Sequence, residues 1–470
     1  MDGDDFLDEE VQPVLQRYEK MLKNKTKEFF EAEELEDICD YYLRKDKLKK
    51  ALEVVYFAEE FYPLYVGFMI QKAEIFAGLG KLDDAIEVLD KAELYEPNNE
   101  DLFLIRGEVF LFKNQIDFAE ECFERALDLA SDKVTMLFDI AYAYEEEDKQ
   151  DFAHKYFKMV LEEEEENEEA HFAIAQLFDE QGEFDKAVEY LNKLIDVDPY
   201  NNTAWFNLGV TYSKMSLFEK AVEAFDFCIT IDEEFDGAHF HKANALVELD
   251  EYEKAIEVYL ECVKHFGPDA ITYCNLASCY EQNNEHLKAR EYYKMATKIN
   301  PNIAEAWFGI GLTYDKEDAV KQAIPYFKRA ILLDAENTDF LFALAEAEYK
   351  IGKVDEAVTI YEEILEINPY LYEAWLDWSY VLFVEQRTQE AIALLFNALK
   401  HFPEQHQIYY RLCCYLFDTG KTKSALEYLE KALSINADDS FLIYEIMPEL
   451  QHVTDITNTI AAYKNNNEKL

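Results

Sequence analysis

Residues 202–235 read NTAWFNLGVTYSKMSLFEKAVEAFDFCITIDEEF, and this stretch of 34 residues determines the predicted fold. Its Ala221 is followed four positions later by Phe225, so both side chains lie on one face of a helix. Trp205, sixteen positions before the alanine, opens a second apolar series with helical spacing. The stretch therefore predicts two helices that are joined by a short connection around Ser216.

The same pattern recurs without an insertion along most of the chain. Each recurrence has an alanine, and a large apolar residue usually follows it four positions later. The twelve alanines, 34 residues apart, are Ala51, Ala85, Ala119, Ala153, Ala187, Ala221, Ala255, Ala289, Ala323, Ala357, Ala391 and Ala425. A fixed period of this length is typical of proteins in which helix pairs stack on one another. We expect the alanine to lie where the two helices of a pair approach closely, since a larger side chain would push them apart.

Each predicted helix pair also has residues that end its helices. Gly, Asn and Asp tolerate the left-handed conformation that ends a helix, and they dominate the position five residues before the alanine. That position is occupied by Asp46, Gly80, Asn114, Asp148, Gly182, Ser216, Asp250, Asn284, Asp318, Gly352, Gln386 and Gly420. Proline stops a helix, and six prolines fall twelve residues after an alanine: Pro63, Pro97, Pro199, Pro301, Pro369 and Pro403.

These motifs together resemble the tetratricopeptide repeat, whose pattern is Trp-x-x-Leu-Gly-x-x-Tyr, then Ala-x-x-x-Phe, then Pro. One copy consists of Trp205, Leu208, Gly209, Tyr212, Ala221 and Phe225, and another of Trp307, Ile310, Gly311, Tyr314, Ala323 and Phe327. The resemblance implies an all-α, right-handed superhelical solenoid of twelve 34-residue helix-turn-helix repeats with helical caps at both ends. The predicted repeats are 32–65, 66–99, 100–133, 134–167, 168–201, 202–235, 236–269, 270–303, 304–337, 338–371, 372–405 and 406–439.

The two ends of the chain lack the full repeat pattern and are predicted to cap the stack. Residues 1–31 form an acidic N-terminal segment, in which 6–22 have one apolar helical face made of Leu7, Val11, Val14, Leu15, Tyr18, Met21 and Leu22. Residues 440–470 are expected to form a C-terminal capping helix and tail. That helix is predicted over 449–463, with Pro448 at its first position and with Leu450, Val453, Ile456, Ile460 and Tyr463 on its apolar face.

Charge and composition exclude several classes of partner. The chain has 99 acidic and 45 basic residues, a net charge of −54, whereas nucleic acid and anionic membranes require clustered Lys and Arg. The sequence has no run of eighteen apolar residues, so no membrane-spanning helix is predicted. The acidic N-terminus does not resemble a secretory signal. We therefore expect a cytoplasmic protein. Its eight cysteines show no CxxC spacing and are interpreted as small apolar side chains in the core.

In the tetratricopeptide family, the first helix of each repeat lines the concave side of the superhelix, where ligands usually bind. The position after the Trp position carries a recurring apolar residue, often aromatic. This stripe reads Glu36, Ile70, Leu104, Phe138, Phe172, Phe206, Phe240, Cys274, Phe308, Phe342, Leu376 and Tyr410. Two interpretations stay open: the stripe packs repeats against each other, or it contacts a ligand.

Three further positions on the same face, taken together with the stripe, contain no Lys, Arg or His and hold fifteen acidic residues. The lack of cationic groups argues against the Lys and Asn clamp by which some relatives bind a C-terminal carboxylate. The predicted ligand groove is therefore acidic and lined with aromatic residues. Its candidate residues are Phe138, Tyr142, Phe172, Asp179, Phe206, Phe240, Asn244, Glu281, Phe308, Asp315 and Phe342.

The acidic run Glu162–Glu166 also has two interpretations. It forms a solvated turn between repeats, or it docks Lys and Arg side chains of a partner.

No catalytic or metal-binding residues are predicted. The nine histidines are scattered, and His239 and His241 point to different helix faces, unlike a metal-binding pair four residues apart. Phosphate-binding glycine loops and nucleophile elbows are absent from the sequence, so no cofactor is expected.

The sequence therefore predicts a non-enzymatic scaffold or adaptor that binds a polypeptide with basic and apolar residues. The alternative is an assembly chaperone or regulatory subunit that shields a basic client protein. The oligomeric state is left open.

Replacing Ala221 or Ala289 by Leu should overpack the junction between two helices and lower the free energy of unfolding by roughly 1–3 kcal/mol. Helix content measured by circular dichroism should largely remain. Thermal melts that coincide with that of the parent protein in both variants would remove this explanation of the alanines.

Overall fold

A computed structural model describes the backbone of residues 3–467 and the side chains of residues 11–464. This part of the chain forms helices and contains no β-strand. The α-helices are α1 Gly3–Asn24, α2 Ala32–Arg44, α3 Leu48–Glu59, α4 Val66–Gly78, α5 Leu82–Glu93, α6 Glu100–Phe112, α7 Ile116–Leu129, α8 Lys133–Glu146, α9 Gln150–Glu163, α10 Glu168–Glu180, α11 Phe184–Val197, α12 Asn202–Lys214, α13 Phe218–Ile231, α14 Asp236–Glu248, α15 Tyr252–Phe266, α16 Ala270–Gln282, α17 His286–Ile299, α18 Ala304–Lys316, α19 Val320–Leu333, α20 Thr338–Lys350, α21 Val354–Ile367, α22 Tyr372–Val384, α23 Thr388–His401, α24 His406–Asp418, α25 Thr422–Ile435, α26 Leu442–Ile446 and α27 Thr454–Asn467. Two 3-10 helices lie at Asp438–Phe441 and Pro448–His452.

The chain divides into two compact units, an N-terminal unit Met1–Ile231 and a C-terminal unit Asp232–Leu470. The sequence shows no boundary at this point, because the 34-residue period continues across it. From α2 to α13 in the first unit, and from α14 to α25 in the second, the helices follow one another as pairs with the predicted period. The number of repeats and their boundaries stay predictions.

The alanine that repeats every 34 residues lies in the interior of its helix pair. All twelve alanine side chains are fully buried. The large residue four positions later is buried beside it, as in Phe123, Phe157 and Phe225. The predicted position of these alanines within the core is therefore confirmed.

The turn inside each helix pair adopts the expected left-handed conformation. All twelve residues at the position five before the alanine have a positive φ, including Ser216 at 58° and Gln386 at 60°. In the turn between α4 and α5, the Gly80 N–H donates to the Ala77 carbonyl at 2.8 Å and the Lys81 N–H donates to the Phe76 carbonyl at 2.8 Å. This pair of hydrogen bonds satisfies carbonyl groups at the end of the helix, as in a Schellman motif.

The aromatic residue that opens a repeat has a specific hydrogen bond that sequence analysis did not predict. The indole N–H donates to the carbonyl oxygen six residues earlier, at 3.0 Å from Trp205 to Pro199 and at 2.9 Å from Trp307 to Pro301. His171 occupies the same position, with its Nε2 2.9 Å from the Glu165 carbonyl oxygen. This hydrogen bond connects the start of the first helix of a pair to the loop that precedes it. Packing at this position therefore accounts for His171 without a catalytic role.

Glycine in the first helix permits close contact with the second helix. A Cβ atom added to Gly209 would lie 2.6 Å from the ring of Phe225, and one added to Gly311 would lie 2.4 Å from the ring of Phe327. These distances are far shorter than van der Waals contact, so the aromatic rings occupy the space that a side chain would need.

The N-terminal helix covers the first helix pair, as predicted. The side chains of Val11, Leu15, Tyr18 and Met21 are buried, and they join a core cluster with Leu35 of α2. Leu7, the first residue of the predicted apolar face, lies outside the residues whose side chains are described.

At the C-terminal end, the prediction of one helix over 449–463 is wrong. Pro448 does occupy the first helical position, but it begins a 3-10 helix that ends at His452. Val453 is extended, and α27 begins at the next residue. Leu450 and Ile456, on either side of this break, are both fully buried in the core of the C-terminal unit.

Replacing Gly209 by Ala should lower the free energy of unfolding by about 1–2 kcal/mol, because the new methyl group collides with Phe225. Inside an unobstructed helix, by contrast, replacing Gly by Ala raises the free energy of unfolding by roughly 0.5–1 kcal/mol. The measurement is urea unfolding of the two proteins side by side.

Gly78→Ala is the matched control, since the nearest atom to its added Cβ is the Leu48 Cδ1 methyl at 3.1 Å, the mobile end of a side chain. This variant should be neutral or slightly more stable than the parent. Equal losses in both variants would contradict the account of the Gly209 contact.

Candidate functional site

The first helices of neighbouring pairs form the surface on which the predicted groove residues lie. Helix α2 contacts α4, α4 contacts α6, and α6 contacts α8 in the N-terminal unit, while α16, α18 and α20 do so in the C-terminal unit. We call the exposed side of these helices the first-helix surface. The candidate residues of the N-terminal unit lie on α8, α10 and α12, and those of the C-terminal unit lie on α14, α16, α18 and α20.

The six phenylalanines of the predicted stripe are half-buried. They are Phe138, Phe172, Phe206, Phe240, Phe308 and Phe342. Five of them pack on the aromatic residue four positions after the alanine of the same pair, with ring centroids 6.0 Å apart for Phe138 and Phe157 and 5.9 Å apart for Phe206 and Phe225. Each residue stays partly exposed. The aromatic members therefore combine a packing contact with an exposed apolar surface.

The remaining members of the stripe differ from the phenylalanines. Ile70 and Leu104 are only 9% exposed, Leu376 is 7% exposed and Tyr410 is fully buried. At these four positions the stripe belongs to the core. Sequence analysis could not separate the two groups, because a large apolar residue fits either environment.

A pocket of about 130 Å³ lies on the first-helix surface of the N-terminal unit between α10 and α12. Phe172 and Leu191 form apolar walls, while Asp179, Asn207 and Lys214 supply polar groups around them. Asp179 is ion-paired with Lys214, and the Thr211 hydroxyl donates to its carboxylate at 3.4 Å. The pocket thus brings together two predicted groove residues, Phe172 and Asp179.

Tyr142 lies beside the stripe on α8. Its ring stacks on Phe138 with the ring centroids 6.0 Å apart, and 39% of the residue is exposed. Its hydroxyl donates to Glu169 at 2.8 Å. Burial and this carboxylate raise the pKa of Tyr142, so the phenol stays protonated and remains a hydrogen-bond donor.

The polar candidates of the C-terminal unit already have partners within the protein. Asn244 accepts a hydrogen bond from the Tyr259 hydroxyl. Glu281 accepts one from the Tyr293 hydroxyl at 3.1 Å, and burial raises its pKa. Asp315 forms an ion pair with Lys350 at 2.9 Å. None of these three groups presents an unpaired charge to a ligand.

The lysines that pair with Asp179 and Asp315 were missed by sequence analysis. Lys214 and Lys350 each lie 35 residues after the aspartate, on the first helix of the following pair. They do not occupy any of the four positions per repeat that the sequence analysis found free of Lys, Arg and His. The first-helix surface is therefore less uniformly acidic than its sequence indicates. An acid followed by a lysine 35 residues later is the signal that could have revealed these pairs.

Four acidic side chains between α2 and α8 have no such partner. Within the described residues, Glu74, Asp101, Glu108 and Asp139 make neither an ion pair nor a hydrogen bond. Burial, followed by the charge of Asp40, raises the pKa of Glu74 to about 7. Burial, followed by the charges of Glu74, Glu146 and Asp139, raises the pKa of Glu108 to about 8. Both carboxyl groups therefore titrate near neutral pH.

The acidic run Glu162–Glu166 begins at the end of α9 and continues into the loop before α10. All five side chains are exposed. Glu162, Glu165 and Glu166 line a cavity of about 660 Å³ together with Lys158 and Lys193, which partly balance their charge. The docking patch stays a hypothesis.

Metal ligands and the adjacent cysteines are the remaining candidates for chemistry. No cluster of three or more His, Cys, Asp or Glu has the arrangement of a metal site in the described part of the chain. Cys413 and Cys414 are fully buried, and burial raises the pKa of Cys413 to about 12, so its thiol stays protonated. None of the described helices combines the length and apolarity of a membrane-spanning helix.

Comparison with solved structures finds several proteins of similar repeat type. The MamA protein is 26% identical over 37% of this chain and 94% of its own, with a TM-score of 0.34. A repeat protein from Cytophaga hutchinsonii is 17% identical over 51% of this chain and 99% of its own, with a TM-score of 0.42. The Cut9–Hcn1 structure of the APC/C is 16% identical over 87% of this chain and 94% of its own, with a TM-score of 0.38.

Family comparison identifies the repeat directly from sequence, whereas no curated protein matches the chain. Models described as tetratricopeptide repeat match residues 144–209, 203–235, 237–264, 270–303, 316–372 and 406–439. These ranges together cover just over half of the chain and lie in both compact units. With the buried alanines and the helix pairs, they show that the chain belongs to the tetratricopeptide repeat family.

Proposed function

We propose that this protein is a non-enzymatic scaffold that binds a polypeptide on its first-helix surface through apolar anchors and basic flanking residues. Proteins of the tetratricopeptide repeat family are generally interaction scaffolds, which supports the general role. The observation that carries the specific proposal is the pocket between α10 and α12. It combines an apolar wall with polar groups at its edge, the usual composition of a site that orients a ligand.

The size of this pocket favours a side chain over a small-molecule ligand. Its volume of about 130 Å³ is below the range of roughly 300–1,000 Å³ that is usual for small-molecule sites. A single leucine or phenylalanine of a partner would fit such a space. Half-exposed aromatic residues on the neighbouring helices α8 and α12 add further apolar contacts.

Charge supports basic residues beside these anchors. The net charge of −54 would attract a basic polypeptide and repel an acidic one. The unpaired acids between α2 and α8 make this attraction strongest on the first-helix surface of the N-terminal part of the chain. We also propose a cytoplasmic location, in keeping with the free thiols of all eight cysteines.

The same charge favours a second candidate, an assembly chaperone or regulatory subunit that shields a basic client. A scaffold holds two partners at once, whereas a chaperone releases its client when the client is assembled. Light scattering of the complex before and after addition of the client's own binding partner separates the two functions.

Phe172→Ala should weaken the binding of a peptide with apolar and basic residues by tenfold or more while changing the melting temperature little, since the ring is half-buried. The measurement pairs a thermal melt with titration of a fluorescent peptide that alternates Leu with Lys. Phe157→Ala is the matched control, because Phe157 is fully buried and its loss should cost about 3–5 kcal/mol of stability.

Large destabilisation by Phe172→Ala, with unchanged affinity per folded molecule, would reassign the stripe to packing. Failure of the parent protein to bind any peptide of this composition would contradict the proposed function itself.

Affinity for the same peptide should fall steadily as salt rises, because screening shortens the reach of the attraction to about 8 Å at physiological ionic strength. Titrations at low and high sodium chloride concentration measure the effect. Affinity that is independent of salt would indicate a purely apolar contact.

A further inference from the structure

The side chain of Gln71, on the first-helix surface of α4, has a polar atom without a partner. The residue is 9% exposed, and its Nε2 donates to Asp40 Oδ1 at 2.6 Å and to the Glu36 carbonyl at 3.4 Å. Its Oε1 is buried and accepts no hydrogen bond from the described residues. A buried acceptor that is left unsatisfied carries a free-energy cost. A donor supplied from outside the chain would remove this cost.

The carboxylates around Gln71 favour a donor that is positively charged. Glu74 lies one helical turn further along the same face of α4, and its carboxylate interacts electrostatically with Asp40 of α2. Glu108 of α6 interacts with Glu74 and with Asp139 of α8. Asp40 accepts from Gln71 and also interacts electrostatically with Arg44 of its own helix. Glu74, Glu108 and Asp139 have no hydrogen bond or ion pair with any described residue. Half-buried carboxylates that repel each other are stabilised by a cation.

Apolar side chains lie beside these carboxylates. Ile70 precedes Gln71 on α4, and Leu104 occupies the equivalent position on α6, four residues before Glu108. Each belongs to the core and is 9% exposed, so only a small apolar area remains at the surface. A ligand with an aliphatic stem and a charged end fits this combination, as long basic side chains do elsewhere in proteins.

We propose that this surface, formed by Asp40, Gln71, Glu74 and Glu108, binds a lysine side chain of the partner polypeptide. The inference rests on the proposed scaffold function and identifies one residue type that the scaffold recognises. The lysine ammonium has three donors, which suit a surface where Glu74 of α4 and Glu108 of α6 have no partner among the described residues.

Lysine is favoured over the other cations for geometric reasons. The guanidinium of arginine is planar and binds best to one carboxylate through two parallel hydrogen bonds, whereas here the acceptors come from separate helices. A compact ammonium on a flexible stem suits acceptors on separate helices. Among the described residues, no group of three or more His, Cys, Asp or Glu side chains has the arrangement of a metal site.

The test uses the full-length protein and the probe peptide acetyl-Gly-Leu-Lys-Leu-Gly-amide. Binding is followed by NMR shifts of the Gln71 side-chain amide and by isothermal titration calorimetry. The lysine peptide should bind roughly tenfold or more tightly than the same peptide with Nε-acetyllysine, and more tightly than its arginine counterpart. Glu74→Gln, which keeps the shape of the side chain, should remove most of this preference.

Glu121→Gln on the second helix α7 is the matched control, because it makes the same carboxyl-to-amide replacement at an exposed side chain away from Gln71. Its preference for lysine should equal that of the parent. Circular dichroism and melting of all variants confirm that each is folded. Equal loss in Glu74→Gln and Glu121→Gln would show a general charge effect and overturn the assignment.

A second readout is the proton balance of binding. The ammonium favours the ionised forms of Glu74, which faces Asp40 and Cys39 of α2, and of Glu108, which faces Glu74, Asp139 and Glu146. Both carboxyl groups titrate near neutral pH, so binding at pH 7 should release protons, and affinity should rise between pH 6 and pH 8.5. The lysine itself stays charged over this range. Calorimetry in two buffers of different ionisation enthalpy measures the release.

The outcomes separate this inference from the proposed function. If the lysine, acetyllysine and arginine peptides bind with equal affinity, the lysine site is wrong while peptide binding stands. If calcium ions displace the lysine peptide and shift the same Gln71 signals at lower concentration, the surface is a cation site of another kind. If no peptide binds, both the site and the proposed function fail.

Discussion

Close contact between the two helices of each pair is the constraint on which this structure is built. The alanine of the second helix is fully buried in all twelve pairs, and in α12 and α18 a glycine of the first helix faces an aromatic ring. Helices in such close contact leave no space for a larger side chain, because protein interiors have almost no free volume. The aromatic ring then fills the space beside the small residues and completes the core of the pair.

The same contact explains why the first-helix surface has half-exposed aromatic residues. Phe138 and Phe206 rest on Phe157 and Phe225, which the buried alanines hold in place. Each of these stripe rings therefore packs on a core ring and is still partly exposed. A rigid, partly exposed ring loses little conformational entropy when it contacts a ligand, which suits a binding surface. Packing and binding are compatible roles for this stripe.

Electrostatics divides the first-helix surface into two regions. At Asp179 and Asp315 a lysine from the next first helix neutralises the acid. Glu74 and Glu108 interact with other carboxylates and form no ion pair with a described residue. Mutual repulsion and partial burial destabilise these ionised groups in the absence of a partner. Natural proteins retain such local costs chiefly where binding relieves them. The region around Gln71 is therefore the part of the surface where a charged partner group has the largest effect.

The sequence by itself determined the helix pairs, the turns and the buried alanines, because these depend on contacts between residues a few positions apart and recur with a fixed period. It also placed the candidate phenylalanines on the first helices. Tertiary structure decided which of them are accessible, since Leu376 and Phe342 occupy the same position in the repeat but differ in burial. It likewise decided which acids are neutralised. The pairing of Asp179 with Lys214 joins residues on different repeats, and its existence depends on how neighbouring first helices stack, which local sequence patterns do not specify.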